Sequence, residues 1–402
     1  MPTLWKNSLQ RARTELIFLY YFLAGISHII FAIPLFLLSF FKVKYKNSLK
    51  ARFFLYKNFH QALADVHFHA CSLGEVKSIK ELALRFDSRI SVITQTGFDE
   101  AKSFCNKVNF LAFETFIPFW LKSCKVLVIF EAEYWLMLVF IAKLRGARVL
   151  LINARISDKS YKNYKNFSFF YRLIFSYIDE VFSQSLQDKE RLLELGAKKV
   201  EVYQNIKAAL EPKINKNYTK LKQKLIIFAS THQGEEELLL KFLKLKDDEK
   251  LIIAPRHPQR FKEVENLLLS LHLNFDKFSA FTEASLEENF KAPILLLDSL
   301  GELVNFYAIS DVVVLGGSFL EGIGGHNPIE VASFNNVLIS GIYIHNQKSL
   351  FNEVENVNFC ENLEELDEKI HSLNQKAKIS KKTDLEPIIK VIQESVNARE
   401  SL

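Results

Sequence analysis

The chain has 402 residues, 49% of them hydrophobic and 24% charged, which is enough for two or three domains with a core each. The formal charge is +6, but residues 1–60 hold nine Lys/Arg against the single acid Glu15, so the basic excess is local and the remainder is slightly acidic. A nucleic-acid binder would cluster or spread its bases over a folded face, and four scattered cysteines without a Cys-x-x-Cys pair speak against a disulfide scaffold and a structural zinc site.

The first element is the source of that charge pattern. Residues 16–41 contain no Lys, Arg, Asp or Glu. As a helix they reach about 39 Å, more than the roughly 30 Å of a hydrocarbon core. The run is longer than a signal peptide's apolar stretch and lacks a small-residue cleavage site. It therefore reads as a membrane anchor, and Pro34 and His28 leave open whether it crosses or only enters the bilayer. Bases outnumber those of the N-terminal flank just after the run, which places the rest of the chain on the cytoplasmic side.

After residue 60, short apolar runs alternate with longer amphipathic stretches. Strands are predicted over 66–69, 90–94, 126–130, 149–153 and 180–183, and a second set over 225–229, 251–254, 294–297, 312–315 and 337–340. Buried runs of this length with helix-length spacers are βαβ units of a parallel sheet. Residues 207–224 are polar, Lys-rich and contain Pro212, so they read as a linker. The resulting division is an anchor at 1–52, an α/β domain at 53–210, a second at 222–383, and a closing helix at 384–402. Two such domains form a cleft, and ligands of open parallel sheets bind beyond the C-terminal ends of the strands.

The residues after each strand are therefore the candidates. After the first strand comes His69-Ala70-Cys71-Ser72-Leu73-Gly74-Glu75. Gly74 permits a tight turn or a close backbone approach. Glu75 precedes a helix predicted over 76–84, where a carboxylate is an ordinary charge complement. In a ligand crevice the same group, its pKa raised by burial, is a general base. After the strand at 126–130 comes Glu131-Ala132-Glu133-Tyr134-Trp135. Carboxylates two apart share a side if the chain is extended, and could hold a metal, hydroxyls or Arg155. With no His and no third acid nearby in sequence, a metal is not expected.

In the second half, Ser230 or Thr231 reads as the N-cap of a helix with Glu235 and Glu236 in its first turn, and the same hydroxyls and amides could hold an anion. Pro255 and Pro258 frame a rigid turn that aims Arg256 at a phosphate or carboxylate. Gly316, Gly317 and Ser318 end a strand, and Gly322, Gly324 and Gly325 lead into His326, Asn327, Pro328, Ile329 and Glu330. Asn327 is a good N-cap and Pro328 a good first helical residue, so amides behind two Gly pairs read as a phosphate cradle. Glu330 suits ribose hydroxyls better than a phosphate.

The segments HACSLGE, ITQTG, FEAEYW, INARISDKSY, NIK, ASTHQGEEE, IAPRHPQRF, DSLGEL and GGSFLEGIGGHNPIE occur in this order. With the N-terminal apolar run they resemble the Kdo (3-deoxy-D-manno-octulosonic acid) transferases of lipopolysaccharide synthesis over nearly the whole chain. The resemblance implies the GT-B glycosyltransferase fold, an α/β architecture of two Rossmann-like domains around a cleft with an N-terminal membrane-anchoring helix. It implies inverting transfer of Kdo from CMP-Kdo to the lipid A precursor (lipid IVA) at the cytoplasmic face of the inner membrane, with no metal, no cofactor and no nucleic acid. By motif, Glu75 is implied as the base, and Glu131 or Glu133 together with Lys207 of Asn205-Ile206-Lys207 as transition-state stabilisers. Pro255-Arg256, Gly301-Glu302-Leu303 and Asn327-Pro328-Ile329-Glu330 are implied as CMP contacts, beside the Gly316-Gly317-Ser318 turn. Trp135 is followed by Leu136-Met137 where the family has Pro-Asn, Gln204 replaces a Gly, and Glu114 stands where Asp is expected. The other readings are a different GT-B nucleotide-sugar transferase acting on a membrane lipid, and a membrane-tethered nucleotide-binding protein without activity.

Overall fold

The computed structural model describes residues 2–42, 45–209, 212–380 and 383–398. The chain forms two compact units, the first from Met1–Ile206 with Thr383–Leu402, the second from Lys207–Lys382.

In the first unit, β1 (Val66–His69), β2 (Ser88–Val92), β3 (Val108–Phe110), β4 (Val126–Phe130), β5 (Arg148–Ala154), β6 (Glu180–Ser183) and β7 (Val200–Val202) form one sheet in the order β3-β2-β1-β4-β5-β6-β7. Every pair is parallel. β1 and β4 are buried along their whole length, which is why they read as continuous apolar runs with only His67 and His69 interrupting. Its first three helices are α1 (Pro2–Phe41), α2 (Ser48–Phe54) and α3 (Leu73–Leu84). The closing helix, Glu386–Asn397, packs on this unit through Ile388, Ile392 and Val396, and Ser395 accepts a 3.0 Å bond from Arg148.

In the second unit, β8 (Lys224–Thr231), β9 (Glu249–Pro255), β10 (Phe275–Lys277), β11 (Ile294–Leu296), β12 (Val312–Leu315) and β13 (Val337–Ser340) are joined, past the short β14 (Val354–Glu355), by β15 (Val357–Phe359). Their order is β10-β11-β9-β8-β12-β13-β15, again all parallel. β14 pairs antiparallel with β16 (Lys378–Ile379) in a separate small ribbon.

The two doubly wound sheets agree with the expected architecture, but each has seven strands where the sequence suggests about five. The unread strands β3, β7, β10 and β15 are three residues long and lie at or near sheet edges. β10 is only half-buried and β7 exposes two of its three residues, so neither carries the apolar signature of a central strand. The polar stretch after Lys207 packs on the second unit: Leu221 is in its core, and Tyr218 stacks on Phe306 at 4.8 Å.

In each sheet the strand order reverses at the centre, between β1 and β4 and between β8 and β12, and the second sheet has β10 outside β11 at its edge. At such a switch point the two following loops diverge to opposite faces and leave a crevice. The first crevice receives the chain after β1 and β4, the second the chain after β8 and β12. These are the segments that hold most of the candidate residues.

Candidate active site

At the first switch point, Ser72 caps α3 and Glu75 lies in its first turn. The Glu75 carboxylate turns back over the loop. It accepts the Cys71 N–H at 2.7 Å and the Ser72 hydroxyl at 2.9 Å. The loop is tied to the sheet by the Ile93 and Thr94 N–H groups, both donating to the Cys71 carbonyl. Gly74 is not the tight turn expected of it: it is helical, and a Cβ there would meet nothing within 4 Å.

The paired acids enter from β4. They are not extended as anticipated, because Glu131 has φ of 58°, in the left-handed region. A non-glycine residue held there costs about 1–3 kcal/mol, a strain that settles at functional sites. Its carboxylate accepts a bond from Asn153 Nδ2 at 3.3 Å. Asn153, itself at φ of 55°, also accepts the Ile206 N–H at 2.9 Å, so it ties Glu131 to the start of the short 3-10 helix Ile206–Ala209 that carries Lys207. Glu133 turns the other way: its carboxylate accepts Trp135 Nε1–H at 2.8 Å and lies 3.7 Å from the buried His69 Nε2.

The fold thus supplies the neighbours that the sequence did not place beside the pair. Cys71 Sγ and carboxylate oxygens of Glu75 and Glu133 lie within 4.8 Å of one another, with His69 behind. The reason given for not expecting a metal, that no third acid or His is close, is overturned.

Electrostatics separates the three acids. Burial, then the charge of Glu131, raises the Glu75 pKa to about 7, against the bonds from Cys71 and Ser72. Burial also pushes on Glu133, but His69, Trp135 and Cys71 outweigh it and hold that carboxyl below its usual range. Burial and the Glu133 and Glu75 charges push the Cys71 thiol up, so it stays protonated. Glu114 is 2% exposed and accepts the Met137 N–H at 2.8 Å. It caps the apolar helix Leu136–Leu144, and Leu136 and Met137 are core residues of that helix.

At the second switch point the expected cap is wrong. Thr231 ends β8, Ser230 is left-handed with φ of 55°, and Gly234 caps the helix Glu235–Phe242. Glu235 is fully buried, and its carboxylate accepts the N–H groups of His232 (2.9 Å), Gly317 (2.7 Å), Ser318 (3.1 Å) and Phe319 (3.0 Å). The amides of the Gly316-Gly317-Ser318 turn are therefore taken by a carboxylate of the chain itself, and that part of the phosphate cradle is withdrawn. Gly316 is needed for this packing, since a Cβ there would lie 2.9 Å from the Glu235 carboxylate and from Thr231 Cα.

Arg260, not Arg256, is the arginine that the double-proline turn fixes. It makes two bonds of 2.6 and 3.0 Å to the buried Glu236, which also accepts the Thr231 hydroxyl at 2.6 Å. Arg256 is anchored through its backbone, which donates to the Thr231 carbonyl at 3.0 Å, and its side chain is exposed. Three histidines stand beside it. His232 Nε2 and His326 Nε2 are 2.9 Å apart with stacked rings, and His257 meets His232 edge-on at 5.3 Å. Burial, then Arg256 and the other two histidines, lowers His326 to about 3, and burial, then His257, Arg260 and Arg256, lowers His232.

Asn327 caps the helix Pro328–Ala332 as expected, accepting the Ile329 N–H at 3.0 Å, with Glu330 in its first turn. Glu302 precedes the helix Leu303–Tyr307 and is saturated by Lys216 (2.9 Å), Tyr218 (2.8 Å) and Asn305 (2.8 Å), so its side chain holds the Gly301–Leu303 turn in place. Sequence reasoning assigned no role to Asn153, His69, His232 or His326, and gave Glu235 only a place in a helix's first turn. Each lies inside a quoted motif at a strand end, but only the strand order shows which of them meet.

The kdotransferase family model (3-Deoxy-D-manno-octulosonic-acid transferase) matches residues 47–210. A 3-deoxy-D-manno-octulosonic acid transferase of Rickettsia typhi is 30% identical over 325 residues, covering 73% of this chain and 67% of the relative. A bifunctional glycosyltransferase/methyltransferase of Fusobacterium nucleatum is 31% identical over 364 residues, which cover 81% of this chain but 56% of that longer protein. Anabaena Alr3699/HepE, solved in complex with UDP-glucose, superposes with a TM-score of 0.53 over 84% of this chain and all of its own, at 10% identity, a likeness of fold alone. Doubly wound twin sheets, an acid pair at one switch point with Glu131 in a left-handed backbone, and the sequence relatives converge: the chain belongs to the 3-deoxy-D-manno-octulosonic acid transferase family of glycosyltransferases.

Proposed function

We propose that this protein transfers Kdo from CMP-Kdo to the lipid A precursor (lipid IVA), with inversion and without a metal. The observation that carries this reading is Glu75, a carboxylate held by two hydrogen bonds and tuned to titrate near pH 7. A base of that pKa is about half ionised at neutral pH and proton-hungry enough to assist a hydroxyl. In the step, Glu75 takes the proton of the acceptor hydroxyl as its oxygen bonds to the anomeric carbon of Kdo. The bond from that carbon to the CMP phosphate breaks on the opposite side, and CMP leaves with the electron pair. Glu131 and Glu133 offset the positive charge developing on the sugar, and Lys207 the negative charge on the leaving phosphate.

The second unit takes the donor. Its acids are already neutralised, Glu235 by four amides and Glu236 by Arg260. Arg256 and the His232, His257 and His326 group thus remain for an anion, with Pro255, the Gly301-Glu302-Leu303 turn and Asn327-Pro328-Ile329-Glu330 around the nucleoside. A nucleoside monophosphate leaving group carries less charge than a diphosphate, which suits a metal-free site. The protein works at the cytoplasmic face of the inner membrane, held there by α1.

The test is to incubate the purified protein with CMP-Kdo and a tetra-acylated lipid A precursor and weigh the products. Added Kdo mass that disappears in Glu75→Ala is the expected result. No added mass overturns the substrate assignment, and full activity in Glu75→Ala overturns the base. Heat protection by UDP rather than CMP would point to a different donor.

A further inference from the structure

The apolar run is part of one helix, α1, and that helix is not free to cross a bilayer by itself. Ile17, Tyr21, Ala24, His28, Leu35 and Ser39 are among its covered or partly covered positions, with Leu16, Tyr20, Gly25, Ser27 and Ala32 beside them. The spacing of the first six, three, four or seven residues apart, puts them on one face. That face rests on the first unit. Ile17 belongs to the unit's core. The Tyr21 hydroxyl donates to the Thr115 carbonyl at 2.7 Å. Both ring nitrogens of His28 are engaged, one with Thr115 Oγ1 at 2.6 Å and the other with the Phe53 carbonyl at 2.8 Å. The ring sits among Phe53, Phe113 and Phe116 at 5.7, 5.1 and 5.0 Å. Near the end of the helix, Lys50 of α2 lies 3.9 Å over the Phe40 ring.

The opposite face is bare and apolar. Ile29 is 78% and Ile33 71% exposed, and in the most apolar window of 11–41 only 11% is buried. A core helix would be covered all round, so this surface has a missing occupant.

We infer that α1 lies in the plane of one leaflet, docked lengthwise on the first unit, with its bare face in the lipid and no crossing of the bilayer. This rests on the membrane association proposed above and fixes its geometry. From Ile17 to Ser39 the docked stripe is about 33 Å long, as long as a hydrocarbon core is thick. If α1 crossed, everything bonded along that stripe would go with it, including Lys50, Arg52 and Glu114 beside Thr115 and Phe53. Charged groups at bilayer depth cost at least about 2.5–3.5 kcal/mol each. Lying flat, the helix buries only its apolar face, and the protein body takes the place of the polar face of an ordinary interfacial helix. The bases at both ends, Arg11 and Arg13 before the run and Lys42 after it, then meet anionic head groups together. A second copy of the chain would not need that charge pattern around an uncharged strip.

The experiment uses the full chain with an epitope tag at each end, in sealed vesicles of phosphatidylethanolamine and phosphatidylglycerol loaded from outside. Protease is added outside, and the vesicles are floated in parallel. The expected result is flotation with both tags cleaved. An N-terminal tag that stays protected while the C-terminal tag is cut means a crossing and overturns the in-plane geometry while leaving membrane binding intact. Failure to float, with a dimer in the soluble fraction, assigns the bare face to a second copy and overturns the membrane reading itself. As a check on the docking, His28→Leu should make the segment joining α1 to α2 at least several-fold more sensitive to protease while flotation persists. Unchanged sensitivity counts against lengthwise docking.

Discussion

The two switch points have the same topology and opposite chemistry. In the first unit, Glu75, Glu131 and Glu133 are brought together with few cations, and burial, then repulsion from Glu131, lifts Glu75 to about 7. In the second, the acids next to the crevice are neutralised within the chain, and Arg256 stands beside three histidines, of which His232 and His326 are depressed by burial and by neighbouring cations. In the proposed reaction, one sheet end removes a proton and the other receives an anion. The difference arises from where each carboxylate finds its hydrogen bonds, not from the sheets.

The largest effect should come from the base. Glu75→Gln is expected to lower kcat about 10²–10⁴-fold while leaving heat protection by CMP intact. If CMP protection falls as well, the division of labour between the two units is broken. Next is the buried acid of the second unit. Glu235→Ala strands the N–H groups of His232, Gly317, Ser318 and Phe319 and is expected to cost roughly 3 kcal/mol of stability, with CMP protection lost. A thermal melt unchanged from the parent would show that those amides find water or ligand instead.

Two pH experiments sharpen the contrast. The acid limb of kcat/KM should fall with an apparent pKa near 7, because Glu75 works only when ionised. Glu131→Gln removes a like charge, so this limb should move down by about one pH unit. An unmoved limb assigns the titration to another group. The second unit should respond the other way: an anion beside His232 and His326 favours their protonated forms, so CMP should bind about threefold tighter at pH 6 than at pH 8. Calorimetry in two buffers of different ionisation enthalpy would register the proton taken up.

The smallest effect is on stability. A carboxyl whose folded pKa is raised holds its proton more tightly folded than unfolded. The destabilisation by Glu75 is therefore full above about pH 7 and fades as pH falls towards its ordinary 4.5. At pH 8, Glu75→Gln should melt about a degree above the parent, and at pH 5 the two should coincide.

Most central strands were legible because they are buried on both faces, and β1, β4, β6, β12 and β13 have the predicted bounds. Edge strands were not, since half-solvated three-residue segments leave little pattern. The capping of Pro328–Ala332 by Asn327 was legible because it is local, whereas the capping of Leu136–Leu144 by Glu114 comes from 22 residues upstream of that helix's start. The Gly316-Gly317-Ser318 turn was read as a waiting anion site because its occupant, Glu235, lies far back in the chain.

By itself, the sequence determined the α/β class, the order of motifs, the basic ends of an uncharged apolar run, and the family that these motifs resemble. Those depend on periodicity and short spacing, which neighbouring residues carry. Only the tertiary structure decided which acid is tuned and which is saturated, which arginine is locked, and which face of α1 is covered. Each of these depends on burial and on distances across a sheet or onto a helix face, which neighbours in sequence do not carry.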